Sequence, residues 1–362
     1  MGARLAVMAG GTGGHVFPAL AVAERLREQG MEVFWLGTSR GMESRLVPAH
    51  GFDLECIRIS GLRGQGIAPV LGAPFKVGAA MIAASRILRR RAASVVLGMG
   101  GFVAGPGGVA ARLQGVPLVI HEQNFVPGMT NQWLARIATR VFEAFPGSFP
   151  AARGAEASGN PVRQTILALP PPKARWERRR AADGAPHLLV LGGSLGAQVL
   201  NEQIPQALAA LAVEQRPRVR HQAGERTLAI AQSAYREAGV AADVTPFIDD
   251  MAEAYAWADL VVCRAGALTV SELAAAGIAS VLVPYPHAVD DHQVGNARYL
   301  ADIGAAELIV QADLDTADLS RRLAALCADP DRLLRMGEAA RTRARVDAVE
   351  RIAAACWELA LR

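Results

Sequence analysis

Several short stretches of this chain carry residue types at a spacing suited to chemistry. The first is Gly10-Gly11-Thr12-Gly13-Gly14-His15, between an apolar run and a stretch with helical periodicity. Glycine tolerates positive φ and lets another molecule approach the backbone. A helix N-terminus beyond it offers N–H groups and the positive end of a dipole, which suits a phosphate or other anion. The spacing is not G-x-G-x-x-G, and an imidazole closes it, so the dinucleotide fingerprint is not met. A plain tight turn between strand and helix is the alternative. Two further glycine turns, Gly98 to Gly108 and Gly192 to Gly196, follow strand-like runs. Each offers backbone N–H groups to a phosphate. None ends in Lys-Ser/Thr, which disfavours nucleoside triphosphate hydrolysis.

Other polar groups fall at matching places. In Cys263-Arg264-Ala265-Gly266-Ala267-Leu268-Thr269-Val270-Ser271-Glu272, Thr269 or Ser271 lies in a first helical turn and Glu272 at capping-box spacing from Thr269. Two readings stay open: a capping box, or a carboxylate accepting hydrogen bonds from a ribose diol while the helix N-terminus faces phosphate. His121-Glu122-Gln123-Asn124 follows a buried run, where four polar side chains are costly to bury without partners. A polar loop cap is its bland reading. Asp290-Asp291-His292-Gln293 sits in the same kind of position. With His287 it suggests a metal, yet Gln293 and Asn296 suit hydroxyl recognition equally, and the expectation is no metal.

The elements that must position these groups alternate. Strand candidates are Leu5 to Met8, Val33 to Leu36, Leu54 to Ile59, Val95 to Leu97, Leu118 to Ile120 and Val141 to Ala144, with helical patterns between them. Such alternation implies α/β architecture with parallel sheets, whose ligands bind at the carboxyl ends of the strands. Gly159-Asn160-Pro161 breaks the pattern, and Pro170-Pro171-Pro172 with the charged run to Arg180 reads as an interdomain surface segment. The pattern restarts at His187 to Leu191. Two similar halves follow, with domains expected at residues 1–160 and 161–343; a C-terminal helix at about 344–362 is long enough to reach back to the first, which periodicity does not show.

Composition bounds the rest. The 362 residues exceed one ordinary core, and 51% hydrophobic content supports two well-buried ones. A net charge of +4 suits an anionic ligand or an acidic membrane surface, but no basic patch interleaved with aromatics points to nucleic acid. The four cysteines, Cys56, Cys263, Cys327 and Cys356, form no metal spacing and fit a reducing compartment. No signal peptide is expected. The uncharged run Ala92 to Ala111 is long enough to span a bilayer, but its glycines and Pro106 make it read as strand, loop and helix start. Pro69 to Arg91 combines Phe75, Met81, Ile82 and other apolar residues with Lys76, Arg86, Arg89, Arg90 and Arg91. It reads either as an interfacial membrane contact or as an ordinary amphipathic helix with last-turn arginines.

In order along the chain stand GGTGGH, GMGGFVAGPGG, HEQN, GNPVR, GGSLGA, FIDDM, CRAGALTVSE and DDHQ. Together they resemble the MurG family, the N-acetylglucosaminyl transferases of bacterial peptidoglycan synthesis. The resemblance implies a GT-B fold: two Rossmann-like domains with parallel sheets facing a central cleft, the C-terminal helix returning to the first. It implies inverting transfer of N-acetylglucosamine from UDP-N-acetylglucosamine to the C4 hydroxyl of the muramoyl sugar of lipid I, the undecaprenyl-pyrophosphoryl-muramoyl-pentapeptide, giving lipid II. No cofactor is implied. The place implied is peripheral, at the cytoplasmic face of the inner membrane, with Pro69 to Arg91 as the contact.

Carried over by motif, the donor site comprises Thr12, Gly13, Gly14, Asn124, Arg163, Ser194, Ile248, Ala267, Leu268, Thr269, Val270, Ser271, Glu272 and Gln293. Ile248 would meet uracil through its backbone and Glu272 the ribose; Ser194, the turn Ala267 to Thr269 and Arg163 would face the diphosphate. The acceptor would lie near Gly101, Gly105, Gly107 and Gly108. The chain departs from the family pattern at Ala265, Phe102 and Ala104, which stand where Ser, Tyr and Ser are common. Inverting transfer needs a base for the attacking hydroxyl and stabilisation of the leaving diphosphate. His15 is the expected base and Glu122 the rival. A nucleotide-sugar 2-epimerase of the same fold and a non-catalytic nucleotide-sugar-binding subunit are the competing functions.

Overall fold

The computed structural model describes residues 2–59, 73–182, 184–193, 196–286 and 291–362. They divide into two compact units, Met1–Val162 with Arg345–Arg362, and Arg163–Ala344.

The first unit holds β1 (Arg4–Ala9), β2 (Glu32–Gly37), β3 (Asp53–Cys56), β4 (Val95–Gly100), β5 (Leu118–Glu122), β6 (Arg140–Glu143) and β7 (Glu156–Ala157). They pair in the order β3-β2-β1-β4-β5-β6-β7, all parallel. Near-continuous apolar strands such as Leu5 to Ala9 are what a sheet covered on both faces requires. Side chains alternate across it. Leu5, Val7 and Ala9 pack with Val16, Leu20, Ile352 and Cys356. Ala6 and Met8 pack with Ala80, Leu88 and Ala110 on the other face. The last helix, Ala348–Ala360, thus completes the core beside helix Gly13–Glu28.

The second unit holds β8 (His187–Leu191), β9 (Arg218–Gln222), β10 (Asp243–Thr245), β11 (Leu260–Cys263), β12 (Ala279–Leu282) and β13 (Ala306–Leu308). Their order is β10-β9-β8-β11-β12-β13, again parallel throughout. In both sheets the order reverses direction beside the first strand of the unit, between β1 and β4 and between β8 and β11. A doubly wound sheet leaves its ligand crevice at that reversal, outside the strands' carboxyl ends. The glycine turns after β1, β4, β8 and β11 all stand there.

Two expectations change. The strand proposed to reach Ile59 ends at Cys56. The charged run after Pro170 is not an interdomain segment but helix Pro172–Ala182 of the second unit, where Arg175 donates to the carbonyls of Pro170 and Gly277. The uncharged run at Ala92 to Ala111 is, as expected, strand, loop and helix start: β4, a glycine turn and helix Ala104–Leu113. Among the described residues no helix is long and apolar enough to cross a membrane.

Candidate active site

In the first unit the pairing of β1 with β4 slips between Met8 and Ala9, so Ala9 faces Gly100. Such an irregularity re-aims the chain where strands end. The buried Trp35 indole donates to the Ala9 carbonyl at 2.7 Å and pins the point where the turn begins. Gly11 then takes φ +91°, and helix Gly13–Glu28 starts with Thr12 as its N-cap residue. The Thr12 side chain does not cap the helix; its Oγ1 lies 3.3 Å from His15 Nδ1. With Nδ1 protonated the ring donates to Thr12, and Nε2 is the basic nitrogen. Gly13 and Gly14 occupy the first helical turn, where N–H groups have no intrahelical acceptor.

The second glycine turn lies against the first. A Cβ on Gly100 would stand 2.6 Å from the His15 ring, and one on Gly101 would stand 2.6 Å from the Gly10 carbonyl oxygen. Both residues also take positive φ, +101° and +87°. Glycine is required here by space and by conformation together. Gly107 and Gly108, expected on the acceptor side, have a packing duty. They are buried in helix Ala104–Leu113, where a Cβ would meet Met8 Sδ at 2.1 Å and Leu134 Cδ2 at 2.7 Å. They let helix, sheet and neighbouring helix approach closely. Gly105 is half-buried in the first turn of that helix. Ala104 is buried, whereas Phe102 is exposed beside the turn.

The polar run after β5 is a folded knot. The His121 ring hydrogen-bonds the Gly159 carbonyl through Nε2 at 2.9 Å and meets Gln123 Nε2 at Nδ1. Burial pushes its pKa down to about 4, so the ring is neutral and Nε2 donates. Glu122 is also buried, and four hydrogen bonds occupy its carboxylate: Oε1 accepts from the backbone and side-chain nitrogens of Asn124, Oε2 from Gly128 N and Asn131 Nδ2. Glu122 therefore shapes the loop that presents Asn124.

In the second unit, Gly192 and Gly196 bring the turn after β8 against the carbonyls of Gln222 and Ala223. Ser194 lies outside the described residues. Helix Ala267–Ala276 begins behind Gly266, whose extended φ and ψ make it the N-cap. The capping-box reading of Thr269 and Glu272 fails, because Thr269 is already the third helical residue and Glu272 the sixth. Ser271 donates to the Ala267 carbonyl within the helix. The buried Glu272 carboxylate instead accepts from Arg163 Nη2 at 2.9 Å and from the Tyr255 hydroxyl at 3.1 Å. Burial raises its pKa, and the Arg163 charge and hydrogen bond oppose that rise. Tyr255, fully buried in helix Met251–Trp257, is a site residue that nothing in the motif signals. Ile248 is half-buried in the loop leading into that helix, just before the capping residue Asp250.

Gln293 stands in the first turn of helix His292–Ala301, its Oε1 accepting from Tyr285 N at 2.9 Å. The buried Asn296 donates to the Ala265 carbonyl, and Ala265 is itself fully buried. His287 and Asp290 lie outside the described residues; among the described ones no cluster of His, Cys, Asp or Glu is placed to hold a metal.

Comparison with known proteins shows the family. Residues 5–143 match the glycosyltransferase family 28 N-terminal domain and residues 187–352 its C-terminal domain. The chain is 53% identical to the UDP-N-acetylglucosamine–N-acetylmuramyl-(pentapeptide) pyrophosphoryl-undecaprenol N-acetylglucosamine transferase of Methylococcus capsulatus, over 99% of both chains. It is 55% identical to the transferase of the same name from Nitrosococcus oceani, again over 99% of both. The crystal structure of Acinetobacter baumannii MurG superposes with a TM-score of 0.84 at 44% identity, covering 98% of this chain and 99% of that one. A UDP-GlcNAc 2-epimerase from Neisseria meningitidis, at 12% identity and a TM-score of 0.66 over 99% of both chains, shares the fold alone. With two parallel α/β sheets of the GT-B kind and this full-length likeness, the chain belongs to the MurG family of glycosyltransferases.

Proposed function

We propose that this chain transfers N-acetylglucosamine from UDP-N-acetylglucosamine to the C4 hydroxyl of the muramoyl sugar of lipid I, forming lipid II with inversion at the transferred carbon. The observation that carries this reading is identity above one half, over almost the whole chain, to transferases named for that donor and acceptor. In the proposed reaction the acceptor O4 attacks C1 of the donor sugar as His15 Nε2 takes its proton. The C1–O bond to the diphosphate breaks, and its electrons leave on UDP. His15 is preferred to Glu122 because Thr12 orients its ring while four donors already occupy the Glu122 carboxylate.

The donor is assigned to the second unit. Glu272 would accept from the ribose hydroxyls, and the N-terminus of helix Ala267–Ala276 with Arg163 would stabilise the charge arriving on the diphosphate. Ile248, Ser194 and Gln293 would complete uracil, phosphate and sugar contacts. Thr12, Gly13, Gly14 and Asn124 would contact the transferred sugar, with Gly101 and Gly105 on the acceptor side. We further propose peripheral attachment at the cytoplasmic face of the inner membrane through helix Ala73–Arg90. On that helix Phe75 and Ile82 are exposed beside Lys76, Arg86 and Arg89.

The test is turnover with UDP-N-acetylglucosamine and a lipid I analogue, with and without a chelator. A β-1,4 disaccharide product formed equally in both arms is expected. Conversion of the donor sugar to its 2-epimer without acceptor would overturn the reading in favour of an epimerase.

A further inference from the structure

The first glycine turn already contains an anion. Glu43, the first residue of helix Glu43–Ala49, is 1% exposed. Its Oε2 accepts from Gly11 N at 2.9 Å, and its Oε1 accepts from the Thr38 N–H at 3.0 Å and the Thr38 hydroxyl at 2.7 Å. The Thr38 hydroxyl oxygen in turn accepts from Gly41 N at 3.2 Å. Three glycines make the cage: a Cβ on Gly10, Gly37 or Gly41 would come within 2.7, 2.8 or 1.9 Å of this side chain. Burial works against its charge, yet these hydrogen bonds outweigh burial and hold Glu43 below the usual carboxylate range.

We infer that Glu43 is a positioning residue for the transfer reaction, its carboxylate filling the anion site of the first glycine turn and thereby holding Thr12 and His15 in place. The inference rests on the reading of His15 as the base. A glycine turn between strand and helix is expected to offer its N–H groups to a substrate phosphate. Here the Gly11 N–H is directed at an internal carboxylate that ties the turn after β1 to the turn after β2. The Gly11 N–H is thereby satisfied from within, and the turn gains rigidity. What remains toward the ligand is the first helical turn at Gly13 and Gly14, whose N–H groups Glu43 does not occupy, and the Thr12–His15 pair. A catalytic group that relies on a neighbouring shell loses rate steeply when that shell loosens, since displacement by about 1 Å costs on the order of a hundredfold.

The experiment compares Glu43→Gln, Thr38→Val and His15→Ala in the full chain, below their unfolding temperatures. It reads kcat, the KM of each substrate, and donor binding by titration with UDP-N-acetylglucosamine. Glu43→Gln keeps the shape but turns an amide N–H toward one of the donors. Its kcat is expected to fall about tenfold while donor KM and donor binding change by no more than about threefold, because the uracil, ribose and diphosphate contacts are assigned to the second unit and only sugar contacts to Thr12, Gly13 and Gly14. Thr38→Val, which removes one donor, is expected to lower kcat about threefold and carries the test if Glu43→Gln does not fold. A folded Glu43→Gln within twofold of the parent kcat overturns the inference, as does a loss that merely tracks the folded fraction. If His15→Ala keeps its turnover while Glu43→Gln loses it, the base assignment falls and the positioning of the turn stands. If His15→Ala is inactive and Glu43→Gln is not, the reverse holds.

Discussion

The Arg163 guanidinium meets the Glu272 carboxylate at 2.9 Å, although 109 residues separate them. Arg163 opens the second unit, and Glu272 lies in the middle of a helix that is otherwise apolar or small. The carboxylate is almost wholly buried and the arginine side chain 37% exposed. Two features follow. A buried carboxylate needs its cation to remain charged, and the guanidinium keeps one edge toward solvent, where a diphosphate can share it.

The two partners are therefore expected to respond differently to substitution. Arg163→Ala leaves a buried charge with only the Tyr255 hydroxyl. It should destabilise the protein by about 2–4 kcal/mol, the lower part of the range for a broken buried pair because the arginine is partly solvated. Glu272→Gln removes the charge and its desolvation cost together and should change stability by less than about 1 kcal/mol, yet raise donor KM more than about tenfold as the ribose loses a charged acceptor. Thermal unfolding and steady-state kinetics on the two variants check this; equal stability losses would contradict it.

Donor affinity should fall in mild acid. Burial raises the Glu272 pKa above the ordinary carboxylate range. Its charged form, which accepts from Arg163 and from the proposed ribose diol, is thus lost at a higher pH than for an exposed glutamate. As pH drops through the raised value, donor KM should climb with kcat less affected. Ribose hydroxyls favour the charged form, so donor binding should release a fraction of a proton in that window. Calorimetric titration in buffers of different ionisation enthalpy measures it, and no linked proton would remove Glu272 from the donor site.

Folding stability should fall in a second window with a different cause. Burial lowers His121 to about 4 and His221 to about 3, against 6.5 in the unfolded chain. Both rings fold neutral. Their contribution is fully present above pH 6.5 and is lost as pH falls from 6.5 toward those values, because the unfolded chain binds protons that the folded chain refuses. Over its own span His121 accounts for about 3 kcal/mol and His221 for about 5 kcal/mol. The midpoint of thermal unfolding should drop steeply between pH 6.5 and 4, and His121→Gln should flatten the slope.

The parts of this molecule that local pattern reveals are those built from contiguous residues. β1, β4 and β5 are short apolar runs ending in glycine or polar turns, so their place at the carboxyl edge of a parallel sheet was legible. β9 was not, because Arg218, Val219, Arg220, His221 and Gln222 alternate charge with burial. Arg220 lies over the Trp257 ring at 4.4 Å and pairs with Glu253, contacts made far away in sequence. Glu43 was invisible for a related reason. Its cage consists of Gly10, Gly37, Gly41 and Thr38 from separate turns, and no spacing rule joins them. The tight motif around Glu272 was legible as polar chemistry, but its spacing suggested a helix cap. Only the helix start at Ala267 showed that the carboxylate reaches Arg163 and Tyr255 instead.

Two glycines of the second turn separate packing from chemistry. Gly107→Ala would force a Cβ to 2.1 Å from Met8 Sδ, in the core between helix and sheet. Overpacking of this kind should cost about 1–3 kcal/mol with acceptor KM unchanged at temperatures where the variant is folded. Gly101→Ala meets backbone instead, the Gly10 carbonyl at 2.6 Å, and sits at φ +87°. Shifting either turn moves His15, so kcat should fall at least about tenfold. A Gly107→Ala variant that loses acceptor affinity but not stability would show that the residue serves the acceptor and not packing alone.

The proposed membrane contact makes a prediction that discriminates among neighbouring arginines. On helix Ala73–Arg90, Ala80, Ala84, Ile87 and Leu88 face the core, while Phe75 is 84% and Ile82 56% exposed. Large apolar groups so exposed on the side of a helix that also carries Lys76, Arg86 and Arg89 suit insertion among acidic lipid headgroups. Arg90 is different: it pairs with Glu55 at 2.8 Å, as Arg91 does with Asp53 at 2.7 Å. A neutralised arginine adds little to a surface potential, whereas an exposed one contributes about 1 kcal/mol near an anionic leaflet. Binding to phosphatidylglycerol vesicles should therefore weaken about fivefold in Arg89→Ala, weaken by less than twofold in Arg90→Ala, and collapse in Phe75→Gln with Ile82→Gln. Turnover of a water-soluble acceptor analogue should hold in all three. Equal effects at Arg89 and Arg90 would show that diffuse net charge, rather than this helix face, brings the protein to the membrane.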